Sequence, residues 1–330
     1  MPIISTSNLT KKFNSFTAVS SVSLQVKKGE IFGLLGPNGA GKTTFISMLV
    51  TMKRPTSGSA SVNSFDVSSN PMGVRKSIGI VFQDQALDEE LTAYENLDLH
   101  AAMYGVPRDE RERRIKGVLE MVELYSRMDD QVKTFSGGMR RRLEIARGLI
   151  HYPKVLFLDE PTLGLDPQTR KHIWEYINKL RREHNVTIFL TTHYMEEADA
   201  LCDRIAIIDH GKIIAMDTPS GLKDSLGGDT LLLYCSSPRK LCSALKNQKC
   251  IIDSKPHDGK LTLRLEKGEK KIPMIMQAAR DAGVEVSSVS LHKPTLDDVF
   301  LHYTGRTIRE EHISSAESFR MHARARRGMR

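Results

Sequence analysis

Residues 1–35 alternate apolar and polar positions in the manner of β-strands: Val22, Leu24 and Val26 share one face, and Lys27-Lys28-Gly29 makes a turn. The run Ile31-Phe32-Gly33-Leu34-Leu35 is apolar throughout, which suits a strand buried on both faces of a mostly parallel sheet. Similar runs follow at Ile78–Phe82, Val155–Leu158, Val186–Leu190 and Ile205–Ile208, with helical patterns between them. That alternation predicts an α/β domain. Residues 90–150 carry no strand pattern and read as a mostly helical insertion. A hairpin at Asp209-His210-Gly211 and a break at Pro219-Ser220-Gly221 close the unit near residue 220.

From 229 to 291 the pattern changes to strand, helix, strand, strand, helix, strand, with cores at Leu231–Cys235, Lys240–Leu245, Cys250–Asp253, Leu261–Leu265, Pro273–Ala282 and Val284–Ser290. This order predicts a small ferredoxin-like α+β domain over 221–305, with a last short helix at Leu296–Tyr303. After Gly305 the chain is polar and rich in arginine, which predicts a mobile basic tail at 306–330.

Composition narrows the function classes. With 40% hydrophobic and 27% charged residues, the chain reads as a soluble globular protein. No apolar run approaches the roughly 20 residues of a membrane helix, and the N-terminus lacks the order of a secretory signal. Cys202, Cys235, Cys242 and Cys250 have no C-x-x-C spacing, which predicts reduced thiols in a cytosolic protein and no zinc site. The net charge is +8, but half of the excess sits in residues 306–330. The remaining body is close to neutral, which argues against a nucleic-acid partner. The tail's charge suits weak contact with anionic lipid headgroups, at about 1 kcal/mol per charge; a solvated tail is the alternative.

The chemistry is concentrated at strand ends. Gly36-Pro37-Asn38-Gly39-Ala40-Gly41-Lys42-Thr43 fits G-x-x-x-x-G-K-[ST], directly after the buried strand 31–35 and before an apolar helix. Glycines let backbone N–H groups turn in around phosphate oxygens, and the helix adds its positive end. Lys42 would bridge the β- and γ-phosphates, Thr43 would ligate Mg2+, and Thr44 adds a hydroxyl. The strand Val155-Leu156-Phe157-Leu158 ends in Asp159-Glu160. Open α/β sheets bind ligands at the carboxyl ends of their strands, so Asp159 suits the metal and Glu160 suits a general base acting on water. Gln83 and His193 follow two further strands at the same predicted edge; Gln83 suits metal or water sensing, and His193 a hydrogen bond to the γ-phosphate.

The stretch FSGGMRRRLEIAR (135–147) opens another helix with three arginines. Cations in a first helical turn oppose the helix dipole, at roughly 0.3–1 kcal/mol each. Met139, Leu143, Ala146 and Ile150 fall at helical spacing and should form its buried face. Arg140 should pair with Glu144 four residues on, leaving the arginines as a solvated or subunit-facing rim.

With these pieces in order, residues 1–220 resemble the ATP-binding subunit of an ABC transporter. The resemblance rests on GPNGAGKTT (36–44), the Gln83 loop, SGG (136–138), VLFLDE (155–160), GLDP (164–167) and His193. It implies a P-loop ABC ATPase domain with a mostly parallel core sheet, an antiparallel β subdomain and a helical subdomain at about 84–150. It implies ATP and Mg2+, with Phe13 as the adenine-stacking aromatic and Phe16 its competitor. It also implies a head-to-tail dimer, most simply of two identical chains, in which Ser136, Gly137 and Gly138 of one chain close over ATP held by the other. Asp166 would lie at that interface. Two positions depart from the usual family pattern: Phe135 and Met139 replace Leu and Gln in L-S-G-G-Q, and Asn14 stands where Gly commonly follows the aromatic.

Residues 221–305, ending in HKPTLDDVFLHYTGR, with SGGMRRRLEIA and FQDQALDEELTAYENL, resemble daunorubicin-resistance-type exporter ATPases. This implies efflux of a drug, lipid or glycan through separate membrane permease subunits, and attachment to the cytoplasmic face of the membrane. An importer ATPase with a C-terminal regulatory domain is the alternative. A chromosome-maintenance or repair ATPase would need a long coiled coil or zinc module between Gln83 and Ser136, and a ribosome-acting ATPase two cassettes in one chain.

Overall fold

A computed structural model describes residues 1–305 apart from 85, 247, 249 and 267. The predicted basic tail and its lipid contact lie outside the described residues. The chain divides into two compact units, the first running from Met1 to Met216 and the second beginning at Asp217.

The first unit opens with a long hairpin, β1 (Pro2–Phe13) and β2 (Phe16–Lys27), followed by β3 (Ile31–Leu35) and α1 (Lys42–Leu49). Then come β4 (Ser57–Val62), β5 (Phe65–Asp66), α2 (Pro71–Ser77) and β6 (Ile78–Val81). A four-stranded sheet in the order β2-β1-β4-β5 is antiparallel at each pairing. The sequence pattern did not point to β4, β5 or α2. In β4 only Ala60 and Val62 are buried, too few to write a period.

Next in the chain are α3 (Ala93–Met103), α4 (Arg108–Met121) and α5 (Gly137–Leu149), which make the expected helical insertion. A reciprocal cap between Thr92 and Glu95 starts α3. The second sheet is completed by β7 (Val155–Asp159), α6 (Pro167–His184), β8 (Thr187–Thr192), α7 (Met195–Leu201), β9 (Arg204–Asp209) and β10 (Lys212–Asp217). Its order is β10-β9-β3-β8-β7-β6, with parallel pairing from β9 through β6. Strands β3, β7 and β8 are buried along their whole length, including Asp159 at the end of β7 and Thr187, Thr191 and Thr192 of β8. Phe32, Phe45 and Phe157 pack around Phe189 at ring-centroid distances of 5.5, 6.1 and 5.6 Å.

Register then decides what meets at the carboxyl edge. Leu35 pairs with Thr192, Asp159 with Thr191, and Val81 with Leu158. The residues that follow these strands, Gly36, Glu160, His193 and Phe82, therefore emerge side by side.

The second unit begins with α8 (Pro219–Asp224), where the sequence suggested only a break; Thr218 caps it and Pro219 supplies a prefixed first turn. It continues with β11 (Asp229–Cys235), α9 (Pro238–Leu245), β12 (Ile251–His257), β13 (Lys260–Leu265), α10 (Ile272–Asp281), β14 (Val286–His292) and α11 (Leu296–Thr304). The antiparallel sheet runs β12-β13-β11-β14, the ferredoxin-like order. Leu261, Leu263 and Leu265 alternate inward from β13 against Leu241 and Leu245 of α9 and Ile275 of α10.

Candidate functional site

The glycine-rich turn after β3 is held by contacts that only glycine permits. A Cβ on Gly36 would lie 2.3 Å from the Ile208 carbonyl oxygen. Gly41 has φ +104°, and a Cβ there would lie 2.4 Å from the Ala18 carbonyl oxygen. Gly41 is also the N-cap of α1, with no side-chain cap and no acidic residue in the first turn. The positive end of α1 is therefore available to an anion. Asn38 and Gly39 are exposed between buried Pro37 and Ala40. Lys42 curls back so that Nζ donates to the carbonyls of Gly36 (2.7 Å) and Pro37 (3.0 Å). Thr43 is exposed and Thr44 half-buried in the same turn.

Three sequence-predicted groups meet here. Lys42 Nζ lies 3.2 Å from Glu160 Oε1, and His193 Nδ1 lies 3.2 Å from Glu160 Oε2. All three side chains are at least nine-tenths buried. Burial works against the Glu160 charge, but the hydrogen bond with His193 and the attraction of Lys42 outweigh it and hold the carboxyl below the usual glutamate range. Beside it, buried Asp159 ends β7 and accepts a hydrogen bond from the Thr191 hydroxyl. Glu160 itself has φ +49°, a left-handed backbone that side-chain-bearing residues seldom adopt. Its N–H donates to Thr191 O at 3.1 Å, crossing from β7 to β8.

Other predicted residues stand apart from this group. Gln83 is exposed beyond the end of β6. Phe13, 41% exposed, ends β1, with the ammonium groups of Lys11 and Lys53 over its ring at 5.2 and 5.7 Å. Asn14, the departure in that turn, has φ +51° and so takes the left-handed conformation a glycine would. Phe16 is more exposed, at 63%.

Ser136 caps α5 through its hydroxyl, which accepts from the Met139 N–H at 3.3 Å. Gly138 packs on α6: a Cβ there would lie 2.6 Å from Thr169 Cγ2. A cavity of about 220 Å³ opens beside this turn, lined by Ser136, Gly138, Met139, Arg142, Thr169 and neighbours. Asp166 is exposed and spends both carboxylate oxygens on capping α6, accepting from Gln168 N, Thr169 N and the Thr169 hydroxyl. Phe135, 4% exposed, simply fills an apolar position before the cap.

The readings of α5 need three corrections. Leu143, Ala146 and Ile150 are buried, but Met139 is only half-buried, because it sits in the first turn beside the cavity rather than under the helix. Arg140 pairs with Glu89 at 2.7 Å instead of Glu144. Glu144 is fully buried, binding Arg147 at 2.7 Å and the Ala86 N–H at 2.6 Å. Nor is Arg141 part of a solvated rim. It is 7% exposed and donates to the carbonyls of Phe82, Asp159, Glu160 and Pro161.

Glu197 was missed as well. Its buried carboxylate accepts from Thr162 Oγ1 at 2.8 Å and Trp174 Nε1 at 3.1 Å, joining α7 to the loop after Glu160 and to α6. One acid among Glu196, Glu197 and Asp199 on a short helix gives no signal of which is buried.

A family model described as ABC transporter matches residues 19–163, and one for the C-terminal domain of DrrA1-3-like ATP-binding proteins matches 218–304. The linearmycin resistance ATP-binding protein LnrL of Bacillus subtilis is 40% identical over 92% of this chain and 98% of its own length. The doxorubicin resistance ATP-binding protein DrrA of Mycobacterium tuberculosis is 41% identical over 87% of this chain and 88% of its own. Among solved structures, cbiO1 from Clostridium perfringens, part of the ABC transporter complex cbiONQ, aligns over 67% of this chain and 90% of its own at 29% identity and TM-score 0.63. The dimeric ATP-binding cassette MJ0796, in a post-hydrolysis state with ADP and Pi, aligns over 65% and 98% at 28% identity and TM-score 0.59.

Proposed function

This chain belongs to the ABC transporter family of ATP-hydrolysing, ATP-binding proteins, and from that premise we propose that it is the ATPase subunit of an exporter. The observation that carries the ATPase reading is the convergence of Lys42, Glu160 and His193 at the carboxyl edge of the sheet, beside an uncapped helix start. The direction of transport rests on the second unit: the DrrA-like match over 218–304 and relatives named for drug resistance favour export over the importer alternative. The cargo class is a drug, lipid or glycan-like molecule, moved through separate permease subunits. No helix among the described residues is long and apolar enough to cross a membrane, so membrane attachment would run through those subunits.

In this reading the triphosphate lies against the N–H groups of residues 36–44, with adenine on Phe13. Its phosphates draw the Lys42 ammonium away from Glu160, since one buried cation cannot fully neutralise both. Glu160 then takes the proton of the attacking water as the bond from γ-phosphorus to the bridging oxygen breaks, and His193 steadies the γ-phosphate oxygen. Mg2+ would be held by the Thr43 hydroxyl and the Asp159 carboxylate, oxygen donors of the kind it takes, with the exposed Gln83 amide joining from the loop after β6. When bound it would neutralise developing charge on the phosphates. Ser136, Gly137 and Gly138 would close on a partner's ATP in a head-to-tail homodimer, with Asp166 at the seam. Loss of the γ-phosphate would release that grip.

The test is purification of the tagged chain from detergent-solubilised membranes, with and without the Glu160→Gln change. Recovery of an integral-membrane subunit with the chain, and loss of drug efflux in the variant, are expected. Recovery with a solute-binding-protein import system instead would overturn the exporter reading.

A further inference from the structure

We propose that Arg141 is the positioning residue for Glu160, holding the turn that aims its carboxylate and locking that turn to the helix that begins at Ser136. The proposal rests on the reading of Glu160 as the general base.

The turn needs holding. Glu160 sits at φ +49°, a left-handed backbone that is sterically unfavourable for a residue with a side chain. Three consecutive carbonyls leave this turn toward α5, and one guanidinium takes them all. Arg141 Nε donates to Pro161 O at 2.7 Å, and Nη2 to Asp159 O at 3.1 Å and Glu160 O at 3.2 Å. The remaining edge, Nη1, donates to Phe82 O at 2.6 Å, the residue just before Gln83. One planar fork therefore binds the ends of β6 and β7 together.

Those four acceptors are main-chain oxygens, so the side chain reads backbone position rather than a partner's charge. Only arginine supplies donors in this fixed plane; lysine offers a single point of attachment. Burial works against the guanidinium charge, with Glu144, Glu197 and Asp159 favouring it. A buried cation early in α5 also opposes the helix dipole. A position merely filling space would carry an apolar residue at lower cost.

The mechanical consequence follows from where Arg141 begins. It lies five positions after Ser136 on the same helix, so a shift of the α5 start moves the fork, and the fork moves the Glu160 turn. The carboxylate is thereby aimed according to how the SGG helix sits. Losing the fork should misplace the base without removing any group that touches nucleotide.

The experiment compares the full chain with Arg141→Lys, Arg141→Met, Glu160→Gln and the Arg141→Lys/Glu160→Gln double variant. ATP hydrolysis at saturating ATP, affinity for a fluorescent ATP analogue and thermal unfolding are measured for each. Misplacing a catalytic group by about 1 Å costs up to about 100-fold, so kcat should fall about tenfold or more in both single Arg141 variants. Analogue affinity should stay within about threefold, and the double variant should be no slower than Glu160→Gln alone. A smaller fall in kcat for the folded Lys variant overturns the proposal, because charge alone would then suffice. A loss of turnover that only tracks lost binding or lost folded protein overturns it too. The Glu160→Gln arm reports separately on the base: parental turnover there sinks that reading whatever Arg141 does.

Discussion

Lys42 and Glu160 form a buried ion pair, Nζ to Oε1 3.2 Å, between the first residue of α1 and the residue after β7. The same ammonium is the group expected to meet the triphosphate. Glu160→Gln removes its competitor while keeping the shape, so ATP should bind as tightly or several-fold more tightly. Turnover should fall by about 100-fold or more, the usual contribution of a general base. Phosphate release and size-exclusion chromatography with ATP check both points; a dimer that persists with ATP is expected, and rapid steady-state hydrolysis would remove Glu160 from the role of base. Lys42→Ala should weaken ATP binding at least about tenfold, and unchanged affinity would refute its phosphate role.

Two buried carboxyls give opposite pH dependences. Burial pushes the Glu197 carboxyl up, against the hydroxyls of Thr192 and Thr162, the Trp174 N–H and the charge of Arg170. Its contribution to stability is full below the usual glutamate value and is lost as pH rises through its raised folded value. Glu160, held below the usual range, contributes above that value and loses the contribution as pH falls through its lowered one. Urea midpoints should therefore show that Glu197→Gln gains on the parent as pH rises from about 5 to 8. A midpoint difference flat across that range would contradict the assignment.

Gly41→Ala should damage folding and binding together. Its φ of +104° and the 2.4 Å approach to Ala18 O leave no room for a methyl group without backbone movement. We expect a loss of roughly 1–3 kcal/mol in denaturant unfolding and no measurable ATP binding. Gly39→Ala is the control: φ is +83° there, but nothing lies within 4 Å of the added carbon. A variant at Gly41 as tolerant as one at Gly39 would show that the close contact does not matter.

Phe13 and Phe16 can be separated by nucleotide titration. Stacking of a base on an aromatic ring is worth about 1–3 kcal/mol, so Phe13→Ala should weaken ATP binding by about fivefold to 100-fold. Phe13→Trp should retain it, and Phe16→Ala should change little. The reverse pattern would move the adenine to Phe16.

Much of the site was legible because its signals are local. The expected phosphate loop is eight consecutive residues that match one short motif, and the uncapped start of α1 agrees with it, although the crowding that requires glycine at 36 and 41 comes from Ile208 and Ala18, far away in the chain. Apolar runs at Ile31–Leu35, Val155–Leu158 and Ile188–Leu190 announced β3, β7 and β8, since strands buried on both faces are mostly apolar. Once parallel pairing was expected, the residues just past those strands had to share an edge. The order of strands and helices in the second unit was readable too, apart from α8, where the sequence suggested only a break. By contrast β4, β5 and α2 bury too few apolar side chains to leave a period.

Arg141 marks the other limit. By itself the sequence determined which apolar runs become core strands, the glycine-rich turn that precedes α1, and the acids Asp159 and Glu160 at the end of β7, because these follow from spacing along the chain. Only the tertiary structure decided which arginine of the triplet is buried, that Glu144 answers Arg147 and Ala86, and that Glu197 carries an enclosed carboxyl. Arg141's acceptors lie 18 to 59 positions away in the chain. They are carbonyl oxygens, which every residue type presents alike. A side chain that binds the main chain across the fold leaves no mark in the identity of its partners.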